Sequence, residues 1–520
     1  MPFYLYIDPI DNQCMYCIGV DIGTGSTKAV AADPAGNILK TASAVYPTLI
    51  EQPGRGEQEP EAIWSAFLSC IRTVIAALGT PPLAIGMSSA MHSLIPVDEQ
   101  SKPLMNMIIW ADNRAAAIAT ELRLSEHGKP LYEENGTPLH AMAPLSKIIW
   151  LRHHAPDLFA RTHKFISIKE YIWHRLFNTF EIDYSIASAT GLFNINSLQW
   201  SDRALTLAGI STEQLSYPVN TSHIRRGMEP AVAAHWNIPA DTPVLIGSSD
   251  GCLANVGSFA SEPGVASLTI GTSGAVRVAS SHPVTNFETM TFNYRLDEKT
   301  FICGGPINNG GVALKWYAES FLGRTLATGN DYTDLLQPIQ NIPAGAEGLI
   351  FLPYILGERA PIWNSDACGV FFGITARHRQ PHFTRAVLEG ISMALYQIME
   401  AMEQNGLTVH RIHASGGFVR SPEWLQIIAD CFDKEIHLFN ASDASALGAI
   451  YMAFKALNII PDYTTLAHRA ATVYKPDNTR TQAYRNNAFP RYKQVYKALA
   501  AEMTIVHEKS GTLSPRFNTR

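Results

Sequence analysis

One short pattern occurs twice in this chain, and it limits what the chain can fold into. Residues 17–22, Cys-Ile-Gly-Val-Asp-Ile, are an apolar run carrying an acid near its end. Gly23-Thr24-Gly25-Ser26-Thr27-Lys28 follows, and Ala29-Val30-Ala31-Ala32 runs on to the turn Asp33-Pro34-Ala35-Gly36-Asn37. Far downstream, Ala266-Ser267-Leu268-Thr269-Ile270 leads into Gly271-Thr272-Ser273-Gly274 and returns through Ala275-Val276-Arg277-Val278. Each reads as strand, glycine turn, strand. Small residues in such a turn let backbone N–H groups approach an anion closely. Two such hairpins in two halves of one chain predict two similar domains gripping one polyphosphate between them. Neither turn is a G-x-x-x-x-G-K-[ST] loop or a G-x-G-x-x-G fingerprint, so the mononucleotide and dinucleotide folds built on those motifs are set aside.

Further along, Val244-Leu245-Ile246-Gly247 reads as a strand that runs into Ser248-Ser249-Asp250-Gly251. A third glycine cluster, Ser415-Gly416-Gly417, closes a strand ahead of Ser421-Pro422-Glu423-Trp424, a helix start. Apolar residues at helical spacing predict helices over 384–405, stopped by Gly406, and over 492–506.

Composition narrows the functional classes. The 520 residues are 46% hydrophobic and 17% charged, which supplies a core and excludes a disordered chain. Lys+Arg 40 against Asp+Glu 46 gives a net charge of −6, with no global field to draw in nucleic acid or an anionic membrane. No uninterrupted apolar run of 18 residues is read, nor a secretory leader, so the expected compartment is cytoplasmic. The 7 cysteines are odd in number and unevenly spaced, unlike a disulfide framework. Cys14-Met15-Tyr16-Cys17 has C-x-x-C spacing but no second pair, and reads as two ordinary thiols.

Taken in order, Asp21 to Lys28, Ser249-Asp250-Gly251, Gly271-Thr272-Ser273-Gly274 and Gly416-Gly417 resemble the FGGY carbohydrate kinases, within the actin, Hsp70 and sugar-kinase superfamily. Met142-x-Pro144-x-x-Lys147-Ile148-x-Trp150-Leu151 and Gly357-Glu358-Arg359-Ala360-Pro361 are similar to two further segments of that family. The resemblance spans roughly residues 16–480.

It implies an α/β fold of two ribonuclease H-like domains with the catalytic cleft between them. The expected division is an N-terminal extension at 1–15 (with Met15 as an alternative start), a first domain at 16–256, a second at 257–480, and a C-terminal helix and tail at 481–520. By the same resemblance, Asp250 is the base that takes the proton of the attacking hydroxyl. Asp21 serves Mg²⁺ through water, although the residues alone leave the two acids' roles reversible. Thr24, Gly25, Ser26 and Lys28 contact the terminal phosphates of ATP, with Thr272 and Gly311 on the other side and Gly417 and Ser421 at the adenosine. Gly25 departs from the Thr usual in the first hairpin, and Ser421 from the Asn of some relatives.

Ser88 to Leu94 and Ile109 to Arg114 resemble the members of the family that act on gluconate. The substrate pocket then contains Met91, His92, Trp110, Arg114 and Asp250, with His92 and Arg114 as donors to a carboxylate. Phosphorylation of D-gluconate to 6-phospho-D-gluconate is the expected reaction. D-xylulose or another ketopentose stays open as acceptor, and a nucleotide-driven binding protein or silent sugar sensor as the reading of another class. A homodimer is a family-level expectation.

Overall fold

The computed structural model describes residues 15–52, 54–439, 443–466 and 470–510. The expected extension (apart from Met15), Cys14 and the end of the tail lie outside the described residues.

Thirteen strands build the two main sheets. They are β1 (Cys17–Ile22), β2 (Ser26–Ala32), β3 (Ile38–Val45), β4 (Ile85–Ser89), β5 (Ile224–Arg225), β6 (Val244–Ser249), β7 (Val265–Ile270), β8 (Gly274–Ser280), β9 (Phe292–Arg295), β10 (Phe301–Ile307), β11 (Arg411–Gly416), β12 (Glu435–Leu438) and β13 (Thr472–Tyr474). The first sheet has the order β5-β6-β4-β1-β2-β3 and the second β9-β10-β8-β7-β11-β12-β13. Both are mixed, and they share a plan. The hairpins β1–β2 and β7–β8 are antiparallel, and each first strand pairs in parallel with a later one, β4 or β11. A second parallel strand, β6 or β12, lies beyond it. The repeated pattern in the sequence is thus a repeat in three dimensions.

Helices cover the sheets. Those that matter below are α1 (Pro60–Leu78), α2 (Pro144–His154), α3 (Asp250–Gly257), α4 (Gly311–Trp316), α5 (Gln380–Gln404), α6 (Pro422–Phe432), α7 (Ala444–Ala456) and α8 (Phe489–Ser510). By length and mean hydropathy, 1.5, α1 is apolar enough to cross a membrane, contrary to the sequence expectation. Glu61 and Arg72 interrupt it, and its Ile63, Phe67, Ile71 and Val74 are buried in the core of the first sheet. The cysteines at 17, 70, 252, 303, 368 and 431 are free thiols.

The position of α7 defines the cleft. Although it lies between β12 and β13 of the second sheet in sequence, it packs on β1, β4 and α3 and shares one apolar cluster with Cys17, Val30, Leu245 and Leu253. Glycines make that approach possible. A Cβ on Gly19 would lie 2.0 Å from the carbonyl oxygen of Ala446, and one on Gly448 would lie 2.0 Å from that of Leu253. Backbone therefore rests on backbone, and no side chain fits in the seam.

Candidate active site

Two cavities meet at the first glycine turn. One, of about 290 Å³, is bounded by Asp21, the turn from Gly23 to Ser26, Lys28 and the head of α7 from Asp443 to Ala446. The other, of about 320 Å³, is bounded on one side by Thr24, Met91, His92, Trp110 and Asp250, and on the other by β8 and its neighbours, with Arg277, Tyr294 and Arg359. Thr24 borders both, and its hydroxyl accepts a hydrogen bond from Trp110 Nε1 at 2.8 Å.

The first turn is held from outside. Tyr46 donates its hydroxyl to the Gly23 carbonyl at 2.6 Å, and its amide bonds the Gly25 carbonyl at 3.3 Å. A Cβ at Gly25 would meet nothing within 4 Å, so the missing Thr side chain leaves open space. Lys28 is paired with Asp443 at 2.5 Å.

Asp21 stands at the end of β1 and accepts from Ser88 Oγ at 2.8 Å. Burial, reinforced by the negative charge of Asp250 and opposed by the Ser88 bond, lifts its carboxyl to about 7. Asp250 opens α3, whose N-cap is Ser249. Its carboxylate accepts from the Gly251 amide at 2.6 Å. Burial raises its pKa, and the nearby Arg277 guanidinium is the strongest opposing influence. Behind it, Lys169 bonds Asp183 at 2.7 Å and the Ser248 carbonyl at 3.0 Å, which fixes the end of β6 from which Asp250 projects.

Of the expected pocket residues, Met91, His92, Trp110 and Asp250 come together. His92 is there as a neutral ring, not as a cation for a carboxylate. Its Nδ1 donates to the Ala189 carbonyl at 2.8 Å, which leaves Nε2 to accept from Tyr294 at 3.2 Å. Burial, with Lys147 nearby, pushes its pKa down to about 3. Arg114 is a correction. Its guanidinium is bound to Asp112 at 2.8 Å and Glu57 at 2.5 Å and lies over Trp150 at 5.3 Å, outside the cavity. Its Nε and Nη2 are thereby committed to the two acids.

Thr272 and Gly311 lie side by side at the second turn, where the α4 amides of Gly311 and Val312 bond the carbonyls of Gly271 and Thr272 at 2.7 and 3.1 Å. The Gly311 N–H is thereby already used. Gly417 follows β11 with open space where a Cβ would stand. Ser421 spends its hydroxyl on α6, accepting from the Trp424 amide at 3.2 Å. None of these four borders either cavity.

Arg277, Tyr294 and Arg359 are among the cavity residues to which the sequence assigns no role. The first was visible as a lone cation in the apolar run Ala275-Val276-Arg277-Val278, and the last sat inside a segment already noted. Lys147 is also explained here. Fully buried on α2, it donates to the carbonyls of His92 at 2.5 Å and Ile109 at 2.8 Å, tying together the two segments that carry His92 and Trp110.

The donor set suits a hard cation held by few protein atoms. Among the described residues no cluster of three or more His, Cys, Asp or Glu side chains forms a cage. What the cleft offers is buried oxygen ligands whose mutual repulsion a divalent ion would relieve, as Mg²⁺ sites shared with phosphates require.

Comparison with known proteins agrees with this geometry. The pattern described as "FGGY family of carbohydrate kinases, N-terminal domain" matches residues 16–257, and the C-terminal domain of the same family matches residues 266–457. A gluconokinase of Bacillus subtilis is 39% identical over 468 residues, 88% of this chain and 91% of its own length. Among solved structures, a gluconate kinase from Lactobacillus acidophilus superposes with a TM-score of 0.90 at 33% identity, covering 95% of this chain and 99% of that one. A ligand-bound xylulose kinase from the same organism gives the same TM-score, 0.90, and identity, 33%, covering 95% of this chain and 100% of that one. Two like-built sheets, two cavities that meet at Thr24 with an acid in each, and a match over both halves lead to one conclusion: the chain belongs to the FGGY family of carbohydrate kinases.

Proposed function

We propose that this kinase transfers the terminal phosphoryl group of ATP to the 6-hydroxyl of D-gluconate, giving 6-phospho-D-gluconate and ADP in the cytoplasm. One observation carries the reading: Asp250 faces a sugar-sized cavity that joins the hairpin-lined cavity at Thr24. A base in that position removes the hydroxyl proton as the oxygen attacks phosphorus. The new O–P bond forms as the bond from the γ-phosphorus to the bridging oxygen breaks, and ADP departs. Thr24, Gly25, Ser26 and Lys28 receive the phosphates, with Thr272 and Gly311 opposite them and Gly417 and Ser421 beside the adenosine. Mg²⁺, when bound, neutralises phosphate charge, and Asp21 with its Ser88 partner would hold it, through coordinated water.

The choice of gluconate is supported by the relative that is 39% identical over most of its length, and by a cavity that places two guanidinium groups against one carboxylate. D-xylulose is the second reading, favoured by the equal likeness to a xylulose kinase structure. Coupled ADP release measured with gluconate, xylulose, glycerol and water as acceptors tests the proposal. Gluconate is expected to give the highest kcat/KM. A large margin for xylulose would overturn the gluconate assignment and leave the kinase assignment intact.

A further inference from the structure

Arg277 is the least committed cation in the larger cavity. Its Nε is sealed from solvent, and among the described residues it has no hydrogen-bond partner. The guanidinium carries five donors in a planar fork, so leaving them unmet at the wall of a cavity is costly unless a ligand meets them. The neighbouring cations are better held, although Arg359 Nε is likewise buried without a partner among the described residues. Arg359 donates to the Ile307 carbonyl at 3.1 Å and stacks over Trp110 at 5.1 Å, while Arg114 is held by its two acids.

Asp250 acts on Arg277 through its charge, but no hydrogen bond joins the fork to an acid among the described residues. Glu358 accepts from the Asn308 and Arg359 amides and from Asn309 Nδ2. Asp250, the sole acid bordering the cavity, forms no ion pair with Arg277 among the described residues. With His92 neutral, the wall carries two guanidinium groups against one carboxylate. The buried Glu358 acts on Arg359, which leaves the Arg277 fork without a hydrogen-bonded negative charge.

Two anions could supply it, the carboxylate of a sugar acid or the phosphoryl group in transit. Arg277 borders the cavity shared by Met91, His92, Trp110 and Tyr294, and not the cavity lined by the glycine turn and Lys28. Its Nε lies 3.2 Å from where a Cβ of Gly251 would stand, next to Met91 Cε at 3.3 Å. Resting on the gluconate reading above, we propose that Arg277 binds the carboxylate of the acceptor and is the residue that makes the enzyme select a sugar acid over a neutral polyol.

The test compares D-gluconate with D-glucitol, which has the same six carbons and a hydroxymethyl group in place of the carboxylate. In Arg277→Met the ratio of kcat/KM for gluconate to that for glucitol is expected to fall about 30-fold or more, chiefly through KM. Calorimetric binding of gluconate without nucleotide should weaken in parallel. Arg277→Lys should recover part of the loss, because it restores the charge without the fork. Equal losses on both acceptors would assign Arg277 to the phosphoryl group or to Asp250 and overturn the proposal. If the Met variant does not fold, Arg277→Gln takes its place, and unchanged selectivity there refutes the proposal. A wild-type preference for xylulose removes the gluconate reading and this proposal together, whereas a gluconate preference that survives in both variants removes this proposal alone.

Discussion

Lys28 and Asp443 stand 415 positions apart in the chain, yet their charged ends are 2.5 Å apart in the wall of the cavity lined by the first glycine turn. Both line that cavity, so on the proposed reading a polyphosphate entering it would meet a carboxylate already bound to Lys28. Asp443→Ala removes that competitor and a like charge. The expected result is a several-fold lower KM for ATP with little change in KM for the sugar. Steady-state kinetics with each substrate varied in turn check it, and a raised KM for ATP would show that Asp443 orients Lys28 rather than competing for it.

Asp250→Asn keeps the shape of the group that opens α3 and removes its basicity. Turnover should fall by about 10²–10⁴-fold, while ADP and ATP still bind. Single-turnover rates and calorimetry separate the two effects. A near-normal rate would take the base role away from Asp250.

The backbone seam along α7 predicts a sharp response to one methyl group. In Gly448→Ala the added carbon would lie 2.0 Å from the Leu253 carbonyl oxygen, so α7 and α3 must part. A cost of about 1–3 kcal/mol is expected, seen as a lower thermal midpoint. Because the head of α7 borders the phosphate cavity, KM for ATP should rise as well. Gly25→Ala, placed where a Cβ meets nothing within 4 Å, is the control that should leave the midpoint unchanged.

His92 gives a pH dependence with a definite sign. Folded, it stays neutral down to about 3, whereas unfolded it takes a proton near its ordinary value of 6.5. Between those values the unfolded chain binds more protons, so the stability that His92 contributes is complete above 6.5 and drains away as pH falls toward 3. The stability gap between wild type and His92→Gln should therefore narrow, by up to about 1.4 kcal/mol for each pH unit below that value. Urea unfolding of both proteins at pH 8 and pH 5 measures it. A gap that widens on acidification would mean that the buried ring is protonated.

Sequence and structure agree where the signal is local. The first hairpin occupies 17–32 as read, the second extends by only a residue or two beyond the apolar runs, and the helix expected over 384–405 is α5, Gln380–Gln404. The helix expected over 492–506 begins earlier, at Phe489, and forms α8. What stayed hidden depends on partners distant in the chain. Asp112 is a visible neighbour of Arg114, but Glu57 lies 57 residues upstream, and an arginine in a strand such as Arg277 carries no mark of where its fork points. Lys147 belonged to a recognised segment, but only folding shows that it holds the carbonyls of His92 and Ile109. Ser421 was readable as a helix start, and that is how its hydroxyl is used.

The placement of α7 bears on how such a molecule can be divided or can have arisen. Its two repeats share a plan, but the second lends a helix to roof the first, so a fragment stopping after residue 257 would expose Cys17, Val30, Leu245 and Leu253 to water. Such a fragment should clump in solution instead of working as half an enzyme. An ancestor with a single repeat would have needed another copy of itself to lay that helix across its bare sheet.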